Sequence, residues 1–129
     1  MVYLVPYIFG LHYIGDFLLQ PYWIKLQKNT SISVMLLHII FYSLTLLGGL
    51  LFFFSYELAL YYVGVNALLH LGVDVMMGKV ITSNSSKLKI DPDETKPVHE
   101  RLNVWGPIAL LGFDQLIHQV CLILTLPLL

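Results

Sequence analysis

The sequence predicts an all-α, polytopic membrane protein, a bundle of four transmembrane helices with both termini on the outer side. Of its 129 residues, 57% are hydrophobic and 12% are charged, whereas soluble domains are about half apolar and about a quarter charged. The apolar residues also fall into four stretches, each near the roughly 20 residues that a membrane span requires. Because little chain remains outside these stretches, we expect a single domain over residues 1–129.

The first two predicted spans cover residues 3–24 and 32–54. The first span begins close to the N-terminus, but it lacks the basic n-region of a signal peptide and carries His12 and Asp16 in its apolar stretch. We therefore expect it to be retained in the protein. The polar segment LQKNTSIS separates the two spans. Since this connection is short, the two spans should form an antiparallel hairpin.

The last two predicted spans cover residues 57–79 and 104–127. The short segment FSYE precedes the third span, which again predicts an antiparallel pair. The connection over 80–103 is long and polar, with four basic and four acidic side chains. It is predicted to be a solvated loop, either a plain linker or a lid over a site.

The basic residues lie at one predicted face of the membrane, in or beside segments 25–31 and 80–103. The positive-inside rule therefore places both segments in the cytoplasm and both termini outside. The net charge of −1 argues against nucleic-acid binding, which requires an excess of clustered cations. The basic residues are Lys25, Lys28, Lys79, Lys87, Lys89, Lys96 and Arg101.

Three aspartates lie within the apolar spans, and each has a histidine four residues away. Four-residue spacing places both side chains of a pair on one face of a helix, so that each pair can point into the bundle. The second span adds a histidine of its own, so every span carries one. These seven candidate metal ligands are His12 with Asp16, His38, His70 with Asp74, and Asp114 with His118.

Metal binding is the best explanation for so many polar groups in apolar spans. Three unpaired aspartates in a bilayer would cost roughly 8 to 10 kcal/mol. Two divalent cations and a hydroxide would neutralise them, as a low-dielectric interior requires. At a rise of about 1.5 Å per residue the ligands span depths of roughly 8 to 21 Å, a column that suits two ions. Zinc is the first choice for mixed imidazole and carboxylate ligands, with manganese or iron as alternatives.

Several further polar residues are placed to orient the ligands. Gln20, Tyr42 and Asn66 each lie four residues from a predicted ligand, a spacing that allows either support of the ligand or ordinary hydrogen bonding between helices. Gln115 is adjacent to Asp114 and is expected to point elsewhere unless its helix rotates. Lys79 at the membrane edge is expected to anchor its helix or to meet an anionic substrate.

The segments HYIGDFLLQ, LLHIIFY, HLGVD and FDQLIH, with Trp23 and Lys25 after the first, resemble the DUF3307 family of small bacterial and phage membrane proteins. The resemblance covers nearly the whole chain and implies a location in the bacterial inner membrane. In the family a basic residue often follows the second HxxxD closely, whereas here several residues precede Lys79. The resemblance implies functional roles for nine positions: His12, Asp16, Gln20, His38, His70, Asp74, Asp114, Gln115 and His118.

The leading functional hypothesis is a metal-dependent hydrolase that acts on a lipid-linked or phosphoester substrate, reached from the cytoplasmic half of the bilayer. A metal-coordinated water can lose its proton near neutral pH, and Asp16, Asp74 or Asp114 would serve as general base. The first alternative is a divalent-metal or proton-coupled transporter that uses the same residues. The second is a noncatalytic, metal-stabilised membrane subunit. Membrane lipid, divalent metal ions and a second copy of the chain are the expected partners.

Overall fold

The computed structural model describes residues 3–84 and 105–129, without the side chains of residues 25, 26, 82, 84 and 105–108. The regular elements of this part of the chain are helices. Three of them are long and apolar enough to cross a membrane, Ile32–Leu50, Tyr56–Ile81 and Ala109–Leu128, and Leu4–Leu18 forms a shorter apolar helix. Over the residues described, the prediction of an all-helical fold is confirmed, and the three long apolar helices suggest an integral membrane protein.

The first predicted span is broken, so the prediction of one helix over 3–24 is wrong. Helix α1 covers Leu4–Tyr13 and continues as a π-helical turn over Ile14–Leu18. The chain then leaves the helix before Pro21, which has ψ of 143° and precedes the short helix α2, Tyr22–Gln27. Proline lacks a backbone N–H and disfavours helical geometry at the residue before it, which accounts for the break.

The remaining helices are α3, Ile32–Leu50, α4, Tyr56–Asn84, and α5, Trp105–Thr125, which ends in a 3₁₀ turn over Leu126–Leu128. Helix α3 is shorter than predicted because the backbone turns after Leu50, whose carbonyl accepts the N–H groups of Phe53 and Phe54. Helix α4 runs five residues beyond the predicted end at 79. Residues 85–103 of the predicted loop lie outside the described residues.

Helix α4 packs against both α3 and α5, and the π-helical turn packs against α3. Buried apolar side chains from α1, α3, α4 and α5 form one core, to which Tyr42, Leu46, Tyr62 and Leu122 belong. Large apolar side chains also face outward, as Leu68 does with 73% exposure. Helices that are apolar on their inner and outer faces are those expected in a membrane.

Gly15 lets the π-helical turn lie close to α3. A Cβ atom at this position would stand 3.3 Å from both the Tyr42 Cα and the Thr45 Cβ. Such a contact is tighter than most side chains tolerate, and one of its two partners is backbone. The absence of a side chain at Gly15 therefore brings the next residue, Asp16, against α3, where it meets the polar residues of that helix.

Candidate metal centre

The polar side chains predicted as metal ligands lie in the interior of the protein. His38 is fully buried and Asp74 is 3% exposed, and His12, Asp16, His70 and His118 are likewise buried. Asp114 is the most accessible, with 14% of its side chain exposed. Buried carboxylates and imidazoles require compensation by hydrogen bonds, by opposite charge or by a metal ion. The hydrogen bonds and charges around each side chain decide which of these three forms of compensation applies.

Three ligand atoms from the π-helical turn, α3 and α4 form a compact triangle. The Nε2 atoms of His38 and His70 are 3.0 Å apart, and Asp16 Oδ1 lies 3.2 Å from the first and 3.8 Å from the second. In a tetrahedral zinc site with bonds of about 2.0–2.1 Å, ligand atoms are separated by roughly 3.3 Å. The triangle therefore has the size of one face of such a coordination sphere, and Asp74 Oδ2 lies 3.0 Å and 3.5 Å from its two nitrogen atoms, beside the fourth position.

Hydrogen bonding cannot satisfy this convergence. His38 Nε2 lies within 3.2 Å of His70 Nε2, Asp16 Oδ1 and Asp74 Oδ2. A single imidazole nitrogen carries at most one hydrogen, so it cannot donate to all three atoms. Asp16 Oδ1 and Asp74 Oδ2 are both buried, at most one of them can accept the hydrogen of His38 Nε2, and neither has another hydrogen-bond donor. A cation at this point would satisfy the lone pairs that these atoms present.

A second group overlaps the first. His70, Asp74 and His118 offer ligand atoms that all lie within 4.8 Å of one another, as do those of Asp16, His38 and His70. His70 belongs to both groups. Because a neutral imidazole has one free lone pair, His70 can serve both positions together only if it loses its ring hydrogen and binds one ion through each nitrogen. The structure thus contains two overlapping candidate positions for a metal ion.

His118 is oriented as metal-binding histidines commonly are. Its Nδ1 lies 2.9 Å from the backbone carbonyl oxygen of Asp114. A carbonyl can only accept, so the hydrogen of the neutral ring resides on Nδ1 and the lone pair on Nε2. That Nε2 atom is buried and has no hydrogen-bond partner. Its lone pair is therefore available to a metal ion.

Lys28 is a site residue that the sequence did not reveal. Its Nζ lies 3.0 Å from Asp74 Oδ1, and its side chain is 18% exposed. In sequence it appears as one of several cations at the membrane edge, and only the chain break at Pro21 and the turn after α2 bring it to Asp74. With Lys28 counted, the three aspartates leave a charge of −2. One divalent cation suffices to neutralise that charge, whereas the two-ion count from sequence omitted this lysine.

Gln115 lies inside the cluster, so the prediction that it points elsewhere is wrong. Its Nε2 donates to Asp16 Oδ2 at 3.0 Å and to Asp114 Oδ2 at 3.2 Å. Its Oε1 lies 3.2 Å from His12 Nε2 and accepts that hydrogen. Gln115 therefore holds the Asp16 carboxylate by the oxygen that does not face His38. Among the described residues, His12 and Asp114 contribute to neither group of candidate ligands.

The other predicted supporting residues have different roles. The Tyr42 ring stacks on His70, with centroids 4.0 Å apart, and limits the orientation of that imidazole. Gln20 is buried, and its Nε2 has no hydrogen-bond partner. Asn66 donates to the Thr125 hydroxyl at 2.9 Å and so joins α4 to the end of α5. Of the three, Tyr42 directly contacts a candidate ligand.

No family model, curated protein or solved structure matches this chain.

Proposed function

We propose that this chain is a four-span membrane metalloprotein whose Asp16, His38 and His70 bind a divalent transition-metal ion, and that it hydrolyses a lipid-linked phosphoester. The observation that carries the proposal is the buried triangle of His38 Nε2, His70 Nε2 and Asp16 Oδ1, with sides of 3.0 to 3.8 Å. Three elements of the fold supply these atoms, and the single hydrogen that His38 Nε2 can carry cannot serve both Asp16 Oδ1 and Asp74 Oδ2.

A set of three ligands, with Asp74 as a proton acceptor beside the fourth position, is suited to catalysis. Catalytic zinc sites commonly use three protein ligands and leave a position for water or substrate, whereas structural sites use four. An ion bound there would act as a Lewis acid and promote ionisation of water. Asp74 Oδ2 lies 3.0 Å from His38 Nε2 and 3.5 Å from His70 Nε2, so it can accept a proton from a molecule at the open position. Zinc is the proposed ion.

The proposed orientation keeps residues 25–31 in the cytoplasm and both termini outside. It is supported by Lys28 and Lys79, which line one cavity at the N-terminal end of α3 and the C-terminal end of α4. Cations concentrate on the cytoplasmic side of membrane proteins. Membership of the DUF3307 family is part of the same proposal and is supported by the sequence segments that resemble it.

The first experiment measures metal content by mass spectrometry on protein purified in mild detergent without a histidine tag. Wild type should contain stoichiometric metal, and Asp16→Asn and His38→Ala should lose it. Glu57→Gln changes an exposed carboxylate in the first turn of α4, outside the cluster, and is the matched control. X-ray absorption should then show two imidazole ligands. Correctly folded wild-type protein that binds no zinc on titration would refute the site.

Catalysis requires a separate test. Metal-loaded protein should release phosphate or alcohol from a panel of lipid phosphoesters, and chelation should stop the reaction. Asp74→Asn should reduce turnover more than it reduces metal content, because the proposed role of its Oδ2 is to accept a proton. Metal binding without turnover on any phosphoester would favour a noncatalytic, metal-stabilised subunit.

A transporter is the second candidate, and the overlap of the two groups favours it. Because His70 and Asp74 lie beside each other in the cluster, an ion could pass from the Asp16 side to the His118 side with little loss of coordination. Zinc flux into proteoliposomes, abolished by both His38→Ala and His118→Ala, would support transport. Retention of hydrolysis without flux would support the enzyme.

A further inference from the structure

A cavity of about 650 Å³ lies beside the candidate metal centre, where the N-terminal end of α3 faces the C-terminal half of α4. Asp74 forms part of its wall, and Lys28 lines it as well. Asp74 therefore belongs to the metal cluster through Oδ2 and to the cavity wall. A molecule in this cavity would lie next to the candidate metal centre.

The lining of the cavity is divided into a polar end and an apolar end. The polar end carries Lys28, Ser31 and Lys79, and the apolar end carries Leu36 and Val75. Leu36 is 49% exposed and Val75 is 42% exposed. The apolar end is thus open on the outer surface of two helices of membrane-spanning length, where lipid chains would surround the protein.

The polar end has the chemistry of an anion site. Lys28 and Lys79 are cations, and the first turn of the 19-residue helix α3 adds backbone N–H groups that attract negative charge. The Asp74 carboxylate in the wall is 3% exposed: Lys28 pairs with its Oδ1 at 3.0 Å, and its Oδ2 faces the imidazoles of the cluster. Because Lys28 is paired with Asp74, the net positive charge at this end comes from Lys79 and from the ion of the proposed metal centre, on which the inference rests.

We propose that this cavity binds the phosphate head group of a membrane lipid, with one acyl chain lying along Leu36 and Val75. The phosphate contacts Lys79 and the α3 N-terminus and faces the metal ion beyond Asp74. The cavity is within the roughly 300–1,000 Å³ typical of small-molecule sites. A soluble phosphoester would leave the apolar end of the cavity unfilled, and that end opens toward the lipid. The substrate of the proposed hydrolase is accordingly a phospholipid, drawn from the leaflet at this face.

Native mass spectrometry of the zinc-loaded full chain in detergent tests this directly. The probes are phosphatidic acid and a diacylglycerol with the same two acyl chains, which differ only in the phosphate. Wild type should retain phosphatidic acid in preference to diacylglycerol. Lys79→Gln should weaken phosphatidic acid binding about fivefold, the effect of one lysine near an anionic lipid surface. Leu36→Trp should fill the apolar end and weaken both lipids.

The control is Glu57→Gln, a charge change at the opposite end of α4, which should bind both lipids as wild type does. Zinc content is measured on every sample, so the two proposals fail separately. Equal binding of the two lipids by zinc-loaded wild type, or unchanged binding by Lys79→Gln, would overturn the lipid site and leave the metal centre standing. Displacement of phosphatidic acid by millimolar inorganic phosphate, with no effect of Leu36→Trp, would assign the site to free phosphate instead.

Discussion

Lys28 Nζ lies 3.0 Å from Asp74 Oδ1, although 46 residues separate the two in the chain. The other oxygen of the same carboxylate, Oδ2, faces the Nε2 atoms of His38 and His70. Asp74 is therefore shared between a lysine and the imidazoles of the candidate metal centre. The salt bridge also sets the charge that a bound cation must balance.

Removal of the lysine charge should destabilise the metal-free protein. Lys28→Gln leaves the buried Asp74 carboxylate without a cation, and breaking a buried ion pair costs about 3 kcal/mol. Lys28→Arg keeps the charge and should be close to wild type. Thermal unfolding in detergent, followed by circular dichroism, measures the difference. Zinc should stabilise Lys28→Gln more than wild type, because the ion then supplies the missing charge. Equal stability of the two variants without metal would contradict this role of Lys28.

The number of bound ions should be one, since Lys28 and the three aspartates together carry −2. His38→Ala removes one of the three ligands. It should lower zinc affinity by more than the roughly 10- to 100-fold that is typical when a residue supporting a ligand is lost. His118→Ala should keep about one equivalent, because the triangle stays intact. Zinc titration and mass spectrometry distinguish the two variants. Two equivalents in wild type, reduced to one in His118→Ala, would instead establish the binuclear site that the sequence predicted.

Gln115 should support metal binding without contacting the ion. It donates to Asp16 Oδ2 at 3.0 Å, so Gln115→Ala frees the carboxylate to rotate away from the triangle. Zinc affinity should fall by about 10- to 100-fold. Gln119→Ala removes another glutamine side chain, one helical turn further along α5, and is the matched control. Competition with a chromophoric chelator gives both affinities. An equal loss in the two variants would indicate a general effect on α5 rather than a local one.

The close approach at Gly15 should be required for the position of Asp16. Gly15→Val places a side chain against the Tyr42 backbone, 3.3 Å from where its Cβ would lie, and should cost about 1 to 3 kcal/mol. It should also weaken zinc binding, since Asp16 is the next residue. Gly10→Val has no atom within 4 Å of the added Cβ and controls for the substitution itself. Wild-type zinc affinity in Gly15→Val would show that Asp16 does not depend on this contact.

Much of the fold could be predicted because membrane helices are marked by length and hydrophobicity. The prediction for the second span begins at residue 32, where α3 begins. The burial of the His/Asp positions also follows from sequence, because an unpaired charge facing lipid is costly. These features depend on local composition, which a single sequence contains.

The partners within the cluster could not be predicted, because they depend on how helices rotate and where they break. The π-helical turn at Ile14–Leu18 widens the helix and shifts the direction of Asp16 away from that expected for an α-helix extended from His12. As a result Asp16 meets His38, and His12 meets Gln115. Lys28 reaches Asp74 through a change of chain direction near Pro21, and its role cannot be recognised from residue spacing.

In a bilayer, the break before Pro21 would also affect the surrounding lipid. The continuous apolar segment Leu4–Leu18 has a length of about 22 Å at the usual helical rise, against a hydrocarbon thickness of about 30 Å. Such a hydrophobic mismatch is relieved by local thinning of the lipid around a short segment. Thinning beside α1 would bring the lipid–water boundary toward the level of Asp16. Ions and polar head groups would then travel a shorter distance to the cluster than the full thickness of the leaflet implies.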